Sequence, residues 1–241
     1  MRKNIKTLKN NFHIYTALNK QEFDKIAFEK FLSLTKGFNK KLIFLPTGNT
    51  PLGFYKKFCE YYLSNKLLLN KFFFINLDEY LEINQTNKIS FKKYLDNNLV
   101  KPLGLKSKHY YWINNQKPIS QEKAKILNII KKHKSISLCV LGIGENGHIA
   151  FNEPNCDPKL DFYDTKLSQS TQKNITFSKK PITNGRTIGI KKILSSKKIL
   201  VLVSINKKKK PLKKLLSKKI DPIYPVTYLS QHKNVTIVVK E

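Results

Sequence analysis

The run Phe72-Phe-Phe-Ile-Asn-Leu77 shows no polar alternation, which makes it a strand covered on both faces. Such strands belong to parallel sheets with helices on either side. Lys198-Ile-Leu-Val-Leu-Val203 repeats the pattern, and Lys41 to Leu45, Ile136 to Leu141 and Val235 to Val239 are further short apolar strands. Between them, Gln21 to Thr35 carries Phe23, Ile26, Ala27, Phe31 and Leu34 at helical spacing. Pro51 to Leu63 opens with proline in its first turn and keeps Phe54, Tyr55 and Phe58 on one face. Ser90 to Val100, Gln121 to His133 and Lys208 to Lys218 complete the expected helices. Strands alternating with helices predict an α/β fold, a doubly wound, mostly parallel Rossmann-like sheet flanked by helices. No Gly-, Ser- or Pro-rich linker and no internal repeat divides the 241 residues, so 1–241 is expected to form one domain.

In that architecture ligands sit beyond the carboxyl ends of the strands, and three strand ends carry suitable chemistry. The first is Leu45-Pro-Thr-Gly-Asn-Thr-Pro51, a strand-to-helix turn whose free N–H groups and hydroxyls can cradle a phosphate. Its plainer reading is a polar turn with Thr50 as helix cap. It matches neither G-x-x-x-x-G-K-[ST] nor G-x-G-x-x-G, which disfavours a nucleotide. The second is Asn76-Leu-Asp-Glu-Tyr80, where Asp78 or Glu79 can point into the crevice and serve as a general base; a capping or solvated acid pair is the alternative. The third is Gly142-Ile-Gly-Glu-Asn-Gly-His148, followed by Glu153. A lone histidine in an apolar stretch is commonly structural. Here Asn146 can orient the ring, and Glu153 can take its other nitrogen or stabilise its cation. No serine or cysteine stands where His148 would activate it, so proton shuttling is preferred over acyl transfer.

Composition narrows the partners. The formal charge of +30, from 46 basic and 16 acidic residues, points first to a polyanion. Only Arg2 and Arg186 are arginines, however, and the lysines are spread along a chain rich in Asn and Ile. Nucleic-acid readers lean on the arginine fork. The lysines are therefore read as solvated surface from a biased genome, with no nucleic-acid partner, although a basic field still draws in a phosphorylated substrate. The densest block, Lys207 to Lys210, opposes the dipole of the helix it begins, a conflict that a bound phosphate relieves. Cys59, Cys139 and Cys156 have no CxxC spacing and read as reduced thiols. There is no HxxxH pair, no signal-like apolar stretch and no membrane span. A cytoplasmic protein needing neither metal nor cofactor is expected.

The motifs LPTGNTP (45–51), NLDEY (76–80) and GIGENGHIAFNEP (142–154) resemble the glucosamine-6-phosphate deaminase family of amino-sugar phosphate isomerases. The likeness continues through Ser90 to Leu103 and from Pro181 to Val238. Pro181 to Ile190 and Tyr224 to His232 look closer to the galactosamine-6-phosphate deaminase/isomerase branch. The resemblance implies an enzyme that converts an amino-sugar 6-phosphate to a ketohexose 6-phosphate with release of ammonia. Asp78 would move the C2 proton to C1, and His148, held by Asn146 and Glu153, would open the ring. Thr47, Gly48, Asn49, Thr50 and Lys207 would hold the phosphate. Some relatives carry Asp where Asn146 stands, and the arginine many of them use for phosphate has no counterpart here, leaving Lys173, Lys179 or Lys180 as substitutes. The implied partner is a small amino-sugar phosphate; self-association is left open, and no C-terminal allosteric segment is expected. The alternatives are a sugar-phosphate lactonase of the 6-phosphogluconolactonase type, which shares the fold, and a non-enzymatic basic module that binds nucleic acid or sugar phosphate.

Overall fold

The computed structural model describes residues 6–9, 12–175, 178, 181–217 and 219–241. In chain order its strands are β1 (Lys6–Lys9), β2 (Phe12–Ala17), β3 (Lys41–Leu45), β4 (Phe72–Asn76), β5 (Asp78–Tyr80), β6 (Tyr110–Tyr111), β7 (Leu138–Gly142), β8 (Phe162–Lys166), β9 (Asn184–Ile188), β10 (Ile199–Ser204) and β11 (Val235–Lys240). The main sheet has the order β1-β2-β11-β10-β7-β3-β4-β6, and all its pairs are parallel except β1 with β2. From β3 the chain winds outward through β4 to β6, returns to β7 beside β3, and winds the other way through β10 to β11. The order reverses between β3 and β7. Connections leaving these two strands diverge to opposite sides, and a crevice opens between them.

The apolar runs follow from burial on both faces. Leu42, Phe44, Cys139, Leu141, Val201 and Val203 pack in one core layer, while Ile43, Leu45, Leu138, Val140, Leu200 and Leu202 pack in the other. The second layer is closed by helices Lys20–Thr35 and Leu52–Leu63 through Phe23, Phe31, Phe54 and Phe58. The first is closed by Ile126 of helix Ile119–Lys132 and by Leu212 and Leu215 of helix Lys209–Leu216. Each fully buried Phe or Leu stabilises the fold by about 1.5–3 kcal/mol. A strand polar on either side would forfeit that on one layer. Among the described residues no helix is long and apolar enough to cross a membrane.

Three features depart from the sequence expectation. The strand expected to run through Leu77 stops at Asn76, whose buried amide donates to the Asp78 carbonyl at 2.7 Å and accepts the Ile113 N–H at 2.8 Å. The chain then leaves the main sheet and enters a second, antiparallel one, β5-β9-β8, with Asp78 opposite Thr187. Arg186 is buried in that sheet, its guanidinium gripping Asp164 at 2.7 and 2.9 Å and capping the carbonyls of Asn114 and Lys117. The segment expected as one helix from Ser90 to Val100 is an α-turn, Phe91–Leu95, continued by a π-helical turn, Asp96–Val100. Asp96 sits at their junction, paired with Lys92 at 2.5 Å and with the Trp112 indole N–H at 3.0 Å. The last expected helix begins with a 3-10 turn, Asn206–Lys208, before Lys209–Leu216; Lys218, its expected end, lies outside the described residues.

Candidate active site

A cavity of about 400 Å³ occupies the crevice at the carboxyl ends of β3, β4 and β7. Its wall is drawn from Pro46 to Thr50, from Asp78 and Tyr80, and from Gly142 to Glu145 with His148, and is closed by Thr171, Asn174, Ile175 and Lys208. The three strand ends singled out in the sequence therefore meet, because the switch in strand order sets β3 and β7 side by side.

After β3 the chain turns at Gly48, whose φ of +93° lies in the left-handed region that favours glycine. Tyr94 donates its hydroxyl to the Gly48 carbonyl at 2.6 Å, and Tyr55 does the same to Pro46 at 2.6 Å. These aromatic struts fix the loop from behind. The helix that follows has Pro51, not Thr50, at its N-cap and no side-chain cap, so its first-turn N–H groups and positive dipole end lie at the cavity wall. Thr47, Gly48, Asn49 and Thr50 all line the cavity, an arrangement suited to an anion.

The adjacent acids after β4 take different tasks. Glu79 is fully buried and accepts the N–H groups of Tyr80, Phe91 and Lys92 at 3.0, 2.9 and 2.9 Å. It thus anchors the start of helix Phe91–Leu95. Burial raises its carboxyl to about 7, with those N–H bonds pulling the other way. Asp78 lines the cavity, 6% exposed, and its Oδ1 has no hydrogen-bond partner. Burial, reinforced by the neighbouring Glu79, pushes the Asp78 carboxyl well above the usual range. A carboxylate so placed is a strong base that needs no rearrangement to meet a proton.

The His148 ring packs flat against Gly144, where an added Cβ would lie 2.3 Å from the ring. Its Nδ1 lies 3.2 Å from the Thr171 hydroxyl and 3.8 Å from Glu153. Burial lowers the imidazole pKa, opposed by the Glu153 charge and assisted by Lys208. Asn146 does not reach the ring. Its amide nitrogen donates to Glu153 at 2.8 Å and to Ser168 at 2.9 Å, and its oxygen accepts the His148 backbone N–H at 3.1 Å. Asn146 thereby fixes the carboxylate and the main chain, and Thr171 makes the contact to the imidazole.

Lys207 lies outside the cavity wall, 76% exposed and 3.6 Å from Glu145. Lys208 lines the cavity instead, and burial lowers its pKa against the pull of Glu145. Lys173 is exposed and not in the wall, while Lys179 and Lys180 lie outside the described residues. Sequence reasoning missed Thr171, Asn174 and Lys208. The first two sit in a polar stretch without a motif, and the third differs from its neighbours only by its angular position in a lysine run. Cys156 has its thiol raised by burial, which keeps it from acting as a thiolate. Among the described residues no cluster of His, Cys, Asp or Glu has the arrangement to hold a metal ion.

Residues 29–238 match the family model of glucosamine-6-phosphate isomerases/6-phosphogluconolactonase. The glucosamine-6-phosphate deaminase of Clostridium acetobutylicum is 34% identical over 231 residues, covering 94% of this chain and 96% of that protein. A solved monomeric glucosamine-6-phosphate deaminase superimposes with a TM-score of 0.88 at 26% identity, covering 95% of this chain and 97% of that one. The 6-phosphogluconolactonase of Thermotoga maritima shares the fold, with a TM-score of 0.77 at 20% identity over 95% of this chain and all of its own.

Proposed function

The chain belongs to the glucosamine-6-phosphate isomerase/6-phosphogluconolactonase family, and from that membership we propose that it is an amino-sugar 6-phosphate deaminase/isomerase. Its substrate is glucosamine 6-phosphate or galactosamine 6-phosphate, and its products are a ketohexose 6-phosphate and ammonia. The observation that carries this reading is Asp78, a buried carboxylate with an unpartnered oxygen in the same cavity as His148. Lactone hydrolysis has no use for an enolising base.

The steps follow from the groups present. His148 accepts the anomeric hydroxyl proton and returns a proton to the ring oxygen, so the C1–O5 bond breaks and the aldehyde forms. Asp78 then takes the C2 proton, now acidified by the adjacent carbonyl, and O1 takes a proton from water, to give an enolamine. Return of the proton to C1 produces a C2 imine, and water adds there as ammonia leaves. The Thr47 to Thr50 loop and Lys208 hold the phosphate and so fix C1 and C2 against these side chains.

Ammonia release assayed with both amino sugars tests the proposal, beside hydrolysis of 6-phosphogluconolactone. Release from either sugar is expected, and which sugar is preferred assigns the C4 configuration. Lactone hydrolysis with no ammonia from either sugar would overturn it.

The lysine run gives a sharper expectation. A charge-assisted bond to phosphate is worth about 1.5–3 kcal/mol, or roughly 10- to 100-fold in binding. Lys208→Ala is therefore expected to raise KM by about that factor with a smaller change in kcat, whereas Lys207→Ala, removing a solvated ammonium, leaves KM close to its original value. Steady-state kinetics of the two variants decide it, and the reverse ranking would reassign the phosphate site.

A further inference from the structure

The hydrogen bonds around Thr171 constrain how the imidazole is protonated. Thr171 is 6% exposed and stands between His148 and Glu153. Its hydroxyl donates to Glu153 Oε1 at 2.5 Å, a charge-assisted bond that uses its single proton. Ser168 donates its own hydroxyl proton to Thr171 Oγ1 at 3.1 Å, while accepting the Thr171 N–H at 3.2 Å and the Asn146 amide at 2.9 Å. The Thr171 oxygen then has one lone pair left, and it faces His148 Nδ1 at 3.2 Å. Nδ1 must carry the hydrogen. That leaves Nε2 as the acceptor nitrogen of a ring that lines the cavity.

We propose that Thr171 is a positioning residue that fixes the Nδ1–H tautomer of His148 and couples the imidazole to Glu153, so that Nε2 is the nitrogen that exchanges protons with the sugar ring. The role within the reaction rests on the deaminase reading. When His148 takes the anomeric proton, the new positive charge is answered by Glu153 through the threonine hydroxyl and across the direct 3.8 Å gap. The need for this bridge follows from Asn146, which is neutral and turned toward Glu153 and Ser168 rather than the ring.

Thr171→Val removes the hydroxyl at nearly constant volume, and Thr171→Ser restores it. The first measurement needs no substrate: ¹⁵N-histidine NMR of the whole protein, with the His148 signal assigned by its loss in His148→Gln. Wild type and Thr171→Ser are expected to show the Nδ1–H tautomer, and Thr171→Val to lose it; an unchanged tautomer in Thr171→Val would overturn the proposal. Should the valine variant fail to fold, Thr171→Ala carries the same expectation. The second measurement is kinetic. Loss of a hydrogen bond to a charged group typically costs roughly 10- to 100-fold, and Thr171→Val is expected to lose kcat in that range on the cyclic amino sugar. Turnover of a 4,5-dideoxy open-chain analogue, which cannot close a ring, is expected to persist. Equal losses on both, without rescue by serine, would reduce Thr171 to a packing role. If wild type releases no ammonia, the functional reading fails while the NMR comparison still decides the link between Thr171 and His148.

Discussion

Asp78→Asn is expected to lower ammonia release by at least about 10³-fold, within the range that general acid–base groups supply, while leaving substrate binding largely intact. Asparagine fills the same volume but cannot accept the C2 proton. The pH dependence follows from the direction of the Asp78 shift. Its carboxyl is raised by burial and by Glu79, and only the ionised form is a base. The wild-type rate should therefore fall as pH drops through that raised value, at a pH higher than an ordinary carboxylate would give. Any residual rate in the asparagine variant should lack this acid limb. Exchange of the C2 hydrogen with D₂O gives an independent readout, expected in wild type and absent in the variant. A variant keeping ammonia release within tenfold of wild type would remove Asp78 from the proton transfer.

His148→Gln is expected to cost about 10²- to 10⁴-fold on the cyclic sugar and far less on an analogue that is already open. Glutamine occupies the space beside Gly144 without shuttling protons at neutral pH. Burial holds the native imidazole pKa below its usual value, against the opposing pull of Glu153. The neutral, accepting ring thus persists to lower pH than a solvated histidine would allow. Pre-steady-state comparison of the two substrates separates ring opening from enolisation, and equal losses on both would refute the ring-opening role.

The sheet was largely legible because its information is local. Strands β3, β7, β10 and β11 fall within one or two residues of the apolar runs that announce them, since burial on both faces favours an apolar side chain at nearly every position. What could not be read lies where partners are distant in sequence. β8 and β9 alternate weakly and, among the described residues, pair only with one another and with the short β5, and β2 is a mixed sequence held by pairing with β11 at the far end of the chain. The π-helical turn at Asp96–Val100 leaves the helical period visible in sequence while shifting which side chains face inward.

The sequence by itself determined the parallel sheet, the three strand-end segments that meet at one cavity, and the residue types capable of holding an anion and moving protons. Periodicity and turn chemistry encode these within a few neighbouring residues. Tertiary structure alone decided which of these side chains line the cavity and which face away from it. Glu79 turns inward because the helix starting at Phe91 offers it free N–H groups, and that leaves Asp78 facing the cavity. Lys208 rather than Lys207 enters the wall because a 3-10 turn sets the angle of the run. Thr171, 23 residues beyond His148, reaches the imidazole because the segment after β8 folds back over the crevice. Hydrogen bonds act over about 3 Å, and only the folded chain sets which groups come that close.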